Sequence, residues 1–510
     1  MSWLKHLGTT GFGVRVLSLF ILGSAAVGAP AEAGAQETER KVALSLKQCL
    51  NMALERHPLL QRARLGAQVG DARLARTRAD YGLTFGAEAL LRQNLSPASS
   101  SFIEGAEILN QTRQQYNVFL DQDVATGGNL RFSLDNNILY SNSTRVDFNP
   151  AIAPQLGLQI SQPLLRNALN GFRLIQAQEQ LRYIAQLDLR REAMDTAFNV
   201  QEGYWNLVQF QERLRVLRQS LDILNNLFEM NTEKQKAGFL SKIDVLQTRA
   251  RLASRQASLL DAQRNLQNNL DQLKQLLNPD DNPLLDWQSL IEPTDQPLYQ
   301  PQATDVEKSY ALALTRRPDY LSALAQLEVL KAREAIAAQN LLPQLNWQGA
   351  AGLESLEQNY GSALGQLFNF RTYFWSTGLR FEVPVVGNEF VALHRESVLQ
   401  RQQQEQQLVF LRQQIRRQIR QAVRNVELVG QQVEATREAK SLAEEQLKAQ
   451  TEKLNLGLTT NFQVLQFQQD FENASLAEVN VTLAYVQAVN NLKNQEGQLL
   501  KAFALEQYLP

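Results

Sequence analysis

The sequence predicts a mainly α protein with a membrane-spanning β part, built as a helix–strands–long helix hairpin written twice. Three observations predict it. Two long windows, 164–278 and 385–509, contain no proline. Segments of the first half recur in the second. Between the opening helix and the long helix of each half, the apolar period changes from 3.6 to 2.

The bulk numbers set the frame. At 510 residues and 44% hydrophobic, the chain has material for several domains or one elongated one. A net charge of −1 gives no footing for a nucleic-acid partner. Cys49 is the one cysteine, so no disulfide forms within the chain. With three His and one Cys, zinc-type ligand sets are excluded, and nothing signals another metal or a cofactor. No nucleophile–base set or phosphate loop appears, so the expectation is a protein that is not an enzyme.

Residues 1–35 read as a signal peptide. Lys5 and Arg15 supply the positive flank, and residues 16–27 ("VLSLFILGSAAV") form the apolar stretch. Ala31-Glu32-Ala33 or Ala33-Gly34-Ala35 offers small residues for cleavage. The alternative is an N-terminal membrane anchor, but the apolar run is shorter than the ~20 residues a spanning helix needs. The mature chain is then exported and has no helical span.

The first repeat covers 36–278 and the second 304–510, joined by a proline-rich linker at 279–303 with five prolines. "ALERHPLLQRA" (53–63) matches "ALTRRPDYLSA" (313–323), and "GLQISQP" (157–163) matches "GLRFEVP" (378–384). "KAGFLSKIDVLQ" (236–247) matches "NLGLTTNFQVLQ" (455–466). The separation between matched segments shrinks along the first half, which therefore carries an insertion.

Strands are expected over 82–162 and 344–384. Leu83, Phe85, Ala87, Ala89 and Leu91 alternate with Thr84, Gly86, Glu88 and Arg92. Tyr116, Val118 and Leu120 alternate with Asn117 and Asp121, and Leu130, Phe132 and Leu134 with Arg131, Ser133 and Asp135. Leu156, Leu158 and Ile160 alternate with Gln155, Gln159 and Ser161, and Leu379, Phe381 and Val383 with Arg380 and Glu382. Such strands have one apolar and one polar face. A soluble sandwich also alternates, but here the polar faces carry charge, aromatics sit at strand ends, and two packed layers would need more strands. An outer-membrane barrel fits an exported chain better. Four to six strands cannot close alone, because an open edge in lipid leaves unpaired backbone groups costing several kcal/mol each. Copies must share one barrel.

The proline-free windows, read as long helical hairpins over 164–278 and 385–505, carry apolar residues every three or four positions. In one these include Leu214, Leu217, Leu221, Leu224 and Phe228; in the other Leu408, Ile415, Ile419, Ala422, Val426 and Val433. That spacing gives the narrow seam of coiled-coil packing. Gly238 and Gly457 each interrupt a long helix and mark the turn where it folds back.

The duplicated plan, "SQPLLR" (161–166) leading into a long helix, and the glycine turns followed by "DVLQ" and "QVLQ" together resemble the TolC-like outer-membrane efflux proteins, over nearly the whole mature chain. The resemblance implies a homotrimer with a small β-barrel in the outer membrane and an α-helical barrel reaching through the periplasm. It implies an exit duct for efflux or type I secretion, working with a periplasmic adaptor protein and an inner-membrane pump. In the family the helical turns meet the adaptor. Their counterparts here are Gly238, Phe239, Leu240 and Ser241, and Gly457, Leu458, Thr459 and Thr460, with Phe239 departing from the usual Leu. Two Asp residues that form an acidic ring at the tunnel's closed end in a well-known member correspond to Gln463 and Gln466, whereas Asp244 matches in the first half. The resemblance therefore implies an entrance that binds cations less. The insertion around Thr126-Gly127-Gly128-Asn129 makes six strands per copy if it joins the sheet; the expectation is that it folds away and leaves the family's four. A periplasmic coiled-coil scaffold without a pore is the alternative, but it leaves amphipathic strands in both halves unexplained.

Overall fold

In the computed structural model the chain is described over residues 40–383, 389–456 and 458–508. The expected signal peptide at 1–35, Gly457 and the passage at 384–388 from the second-half strands into their long helix lie outside the described residues.

The first half begins with β1 (Lys41–Leu44), α1 (Leu46–Arg56) and α2 (Pro58–Ala79). Ser45 starts α1 with a capping box, its hydroxyl accepting from the Gln48 amide while the Gln48 side chain accepts from the Ser45 amide. Pro58 is the first residue of α2, and it forces His57 into extended backbone with ψ 125°. The single opening helix suggested by sequence is therefore two helices, and the repeated "HP" and "RP" dipeptides mark the break in both halves.

Next come β2 (Leu83–Pro97), the short α3 (Ser101–Glu104), β3 (Ile108–Asp123), β4 (Asn129–Ser141) and β5 (Ala151–Pro163). Then α4 (Asn170–Lys236) runs for 67 residues, about 100 Å at 1.5 Å per residue, and α5 (Lys242–Leu277) returns along it. The 279–303 segment is more than a linker. It holds β6 (Leu290–Pro293), which pairs parallel with β1. Asp295 follows, accepting hydrogen bonds from the Tyr204 hydroxyl at 2.9 Å and from the Leu46 amide at 2.6 Å.

The second half repeats the plan with α6 (Val306–Arg316), α7 (Pro318–Gln339), β7 (Gln344–Glu354), α8 (Tyr360–Leu367), β8 (Tyr373–Glu382), α9 (Glu389–Asn455), α10 (Asn461–Gln495) and α11 (Leu499–Ala502). Among the described residues four apolar clusters hold the helices, two of them large. One gathers Leu50, Leu54, Tyr204, Leu207, Leu270, Leu273 and Leu277. The other gathers Leu408, Ile415, Ile419, Val426 and Val433 with Tyr485 and Val489. Most seam residues read from sequence are buried, with Leu221 and Phe228 half-buried, because a long amphipathic helix is stable only where its stripe is covered.

The strands form a single antiparallel sheet in the order β2-β3-β4-β5-β7-β8. This corrects the expectation of four. The inserted hairpin does not fold away: β3 pairs with β2 from Leu83↔Gln122 to Pro97↔Ile108, and β4 pairs with β5 from Asn129↔Ser161 to Leu139↔Ala151. The reason is register. Over its central part, Val118 and Leu120 with Phe132 and Leu134, the insertion continues the apolar rows of its neighbours, with Gln122 and Asn136 as the polar members flanking them on that face.

Candidate functional site

The sheet is a wall with two unlike faces. Following the ladder across all strands, one row reads Phe85, Leu120, Phe132, Leu158, Ala351, Trp375. The next row on that face reads Ala87, Val118, Leu134, Leu156, Leu353, Tyr373. On the opposite face a row reads Thr84, Asp121, Arg131, Gln159, Ala350, Ser376, and another contains Glu88, Asn117, Asp135, Gln155 and Glu354. The apolar face suits lipid and the charged face suits water. Among the described residues no helix is long and apolar enough to cross a membrane.

Two aromatic rings point to the polar side and are held flat there. Phe119 lies over Gly86, where an added Cβ would meet its Cζ at 2.3 Å, and Phe374 lies over Gly352, with Cε1 at 2.5 Å from such a Cβ. The guanidinium of Arg131 stacks 4.0 Å from the Phe119 ring centre. Glycine at the two neighbouring positions thus keeps bulky rings against the wall and out of the space it faces.

At the far end of α4 is the first helical turn. The Phe239 amide donates to Lys234 O at 2.8 Å and the Gly238 amide to Gln235 O at 3.0 Å, which is a complete Schellman motif. Gly238 has φ +79°, the left-handed conformation that this motif places at C′. Ser241 then caps α5: its hydroxyl accepts from the Asp244 amide at 3.3 Å and donates to the Asp244 carboxylate at 2.7 Å. In the second turn the Leu458 amide donates to Lys453 O at 2.9 Å, and Thr460 caps α10, accepting from the Gln463 amide at 3.4 Å. The Thr459 hydroxyl donates to Gln463 Oε1. The repeat is therefore a stop-and-restart motif, with S-x-x-D and T-x-x-Q as its restart. Two of the three candidates for the entrance, Asp244 and Gln463, have their side chains engaged at helix caps. Gln466 is exposed and donates to Asp470 at 3.3 Å, an acidic residue of α10 that sequence reasoning passed over. Its signal was the i, i+4 spacing.

Both tips carry bare apolar side chains. Phe239 is 84% exposed and Leu458 74%, and Ile243, Leu246, Leu456 and Phe462 are exposed beside them, whereas Leu240 is half-buried. Six large apolar groups in water at two turns are the mark of a surface that is covered in use.

Behind the tips a polar knot ties the two halves together. Arg255 of α5 pairs with Glu472 of α10 at 2.5 Å, and the Ser220 hydroxyl of α4 donates to the other Glu472 oxygen at 2.7 Å. Arg255 also donates to Gln469 at 3.1 Å, and Arg251 to Leu465 O at 2.9 Å. The Glu472 side chain is 5% exposed and that of Arg255 15%. Closer to the first turn, Asn231 donates to Thr248 at 2.9 Å between α4 and α5, both buried.

Elsewhere the titratable groups with shifted pKa values are structural. Burial pushes the Cys49 thiol up to about 12, aided by the charge of Asp295. Burial holds His57 below its ordinary value, partly opposed by Glu192. Burial raises Asp195, as does the negative charge of Glu192. Among the described residues no three His, Cys, Asp or Glu side chains gather to hold a metal.

The chain matches the family model described as outer membrane efflux protein over residues 49–279 and 309–498. Its fold is similar to that of a membrane protein from Pseudomonas aeruginosa, at 18% identity and a TM-score of 0.65, covering 89% of this chain and 93% of that one. The CmeC outer membrane channel of Campylobacter jejuni is 17% identical with a TM-score of 0.64, and 94% of each chain is covered. The MtrE outer membrane channel of Neisseria gonorrhoeae, in its open state, is 17% identical with a TM-score of 0.60 and 89% of each chain covered. A search of curated proteins finds no sequence match.

Proposed function

The chain belongs to the outer membrane efflux protein family, and on that premise we propose that three copies form one duct, carrying substrates from an inner-membrane pump and a periplasmic adaptor to the cell exterior. Location in the outer membrane and a role as an exit duct for efflux follow from the family. The copy number, the adaptor and the pump are the finer reading. One observation carries it: a sheet with one apolar and one charged face ends in two strands, β2 and β8, each with one edge that pairs with no strand among the described residues. A scaffold in water has no use for such a sheet. A membrane wall needs it, and needs further copies to close it.

The two turns are the docking tips for the adaptor: Gly238, Phe239, Leu240 and Ser241 in one, Leu458, Thr459 and Thr460 with Gly457 in the other. Their chemistry supports contact with an apolar partner surface. Asp244, Gln463 and Gln466 stand at the tunnel entrance. With two amides there, divalent cations block conductance weakly.

The test separates the duct from its docking. The purified protein is reconstituted in planar bilayers, and a deletion strain is complemented with Phe239→Asp, Leu458→Asp or both. Wild-type conductance with lost export in the double variant supports the reading. Absence of any channel from the wild-type protein overturns the duct, and full export by the double variant overturns the docking tips.

A further inference from the structure

Strand count sets barrel width, and this chain brings an unusual count to the wall. The hairpin of β3 and β4 lies in the middle of the sheet, paired along its length on both sides. Its even positions from Leu130 to Leu134 share a face with Phe85, Leu158 and Trp375, and its odd positions from Arg131 to Asp135 share the charged face. At 16 and 13 residues, β3 and β4 are as long as a tilted strand needs to be to cross the hydrocarbon, which takes about 9–11.

The edges indicate what completes the sheet. Phe85 and Leu91 on β2 are 68% and 70% exposed, and Trp375 and Leu379 on β8 are 69% and 66%. Six alternating strands place β2 and β8 in opposite directions, so the β2 edge of one copy can pair antiparallel with the β8 edge of the next. That contact joins two different edges, so it propagates from copy to copy until a ring closes. The unpaired backbone groups of both edges are then satisfied without any further partner.

We propose that each copy contributes all six strands to the membrane wall, the inserted hairpin included, and that the β2 edge of one copy pairs with the β8 edge of the next. This inference rests on the three-copy reading above. Three copies then close a barrel of eighteen strands. Barrel diameter grows roughly in proportion to strand number, so this opening is about 1.5 times as wide as the one four strands per copy would make. Barrels of 16–18 strands leave an aqueous channel, and the Arg131, Asp121 and Asp135 side chains face it.

The test uses the full chain in intact cells. Single cysteines at 130, 131, 132, 134 and 135 are treated with a membrane-impermeant, water-soluble maleimide; the native Cys49 is 0% exposed and stays silent. The expected result is labelling of Arg131→Cys and Asp135→Cys and its loss in Leu130→Cys, Phe132→Cys and Leu134→Cys. Labelling of all five places the hairpin outside the wall and overturns the inference. Electron cryomicroscopy of the wild-type oligomer needs no substitution: eighteen strands supports the inference and twelve overturns it. A conducting oligomer with twelve strands sinks this inference alone, whereas a protein that makes no channel sinks the duct reading beneath it.

Discussion

Replacing Glu472 with Leu strips a buried arginine of its counter-charge at the junction of the two hairpins. Arg255 would keep Gln469 as a hydrogen-bond partner but lose the 2.5 Å contact to the carboxylate, at a site where its side chain is 15% exposed. Removing one member of a buried ion pair costs about 3–5 kcal/mol, because the remaining charge is left unsolvated. Replacing both members with apolar residues of similar size is close to neutral. Glu472→Leu alone should therefore be strongly destabilising, and Glu472→Leu with Arg255→Met should recover most of the loss. Membrane oligomers rarely unfold reversibly, so the assay is the half-life of the oligomer in detergent at fixed high temperature. A loss of 3 kcal/mol felt fully in the unfolding barrier shortens that half-life on the order of a hundredfold. If the single variant lives as long as wild type, or the double variant dies as fast as the single one, the knot does not hold the halves together as argued.

Gly238→Ala keeps open space around its new methyl but must hold φ +79°, at a cost of about 1–2 kcal/mol, so proteolytic nicking at this turn should rise while nicking elsewhere stays constant. Leu158→Arg puts a charge on the apolar face at a cost of about 2–4 kcal/mol at the membrane midplane, whereas Gln159→Arg, on the charged face, should assemble normally; heat stability of the oligomer on gels reads the difference. His57 has a lowered pKa, so the folded state resists protonating it. Stability from this group is present above its ordinary value of 6.5 and lost as pH falls below it. Thermal melts from pH 7.5 to 5.5 should fall, and His57→Gln should flatten that fall. Asp195, with a raised pKa, acts in the opposite direction, so the comparison is cleanest in an Asp195→Asn background.

The long helices could be read from local sequence because two signals agree there: no proline over each window, and a stripe at Leu408, Ile415, Ile419 and Val426 that ends up buried. The strands were equally plain, since alternation at Leu130, Phe132 and Leu134 needs no knowledge of neighbours. What alternation does not contain is the pairing partner. The hairpin's place between β2 and β5 depends on ladders between residues far apart in sequence, and so the expected strand count was wrong. The tips were located by their repeated glycine, and the residues beside it carry a second signal that local spacing also contains. Ser241 with Asp244, and Thr460 with Gln463, fit the spacing of a helix start, and the side-chain bonds to the backbone explain why an acid and an amide serve equally. The Arg255–Glu472–Ser220 knot was not legible, because its three residues come from three helices and no local pattern marks them.

The central claim is that a single copy cannot seal its own sheet in lipid. Native mass spectrometry of the oligomer extracted from outer membranes in mild detergent tests it most directly. The account predicts three copies and no folded single copy in the membrane fraction. A stable, lipid-inserted monomer, with β2 and β8 exposed to detergent, would contradict it.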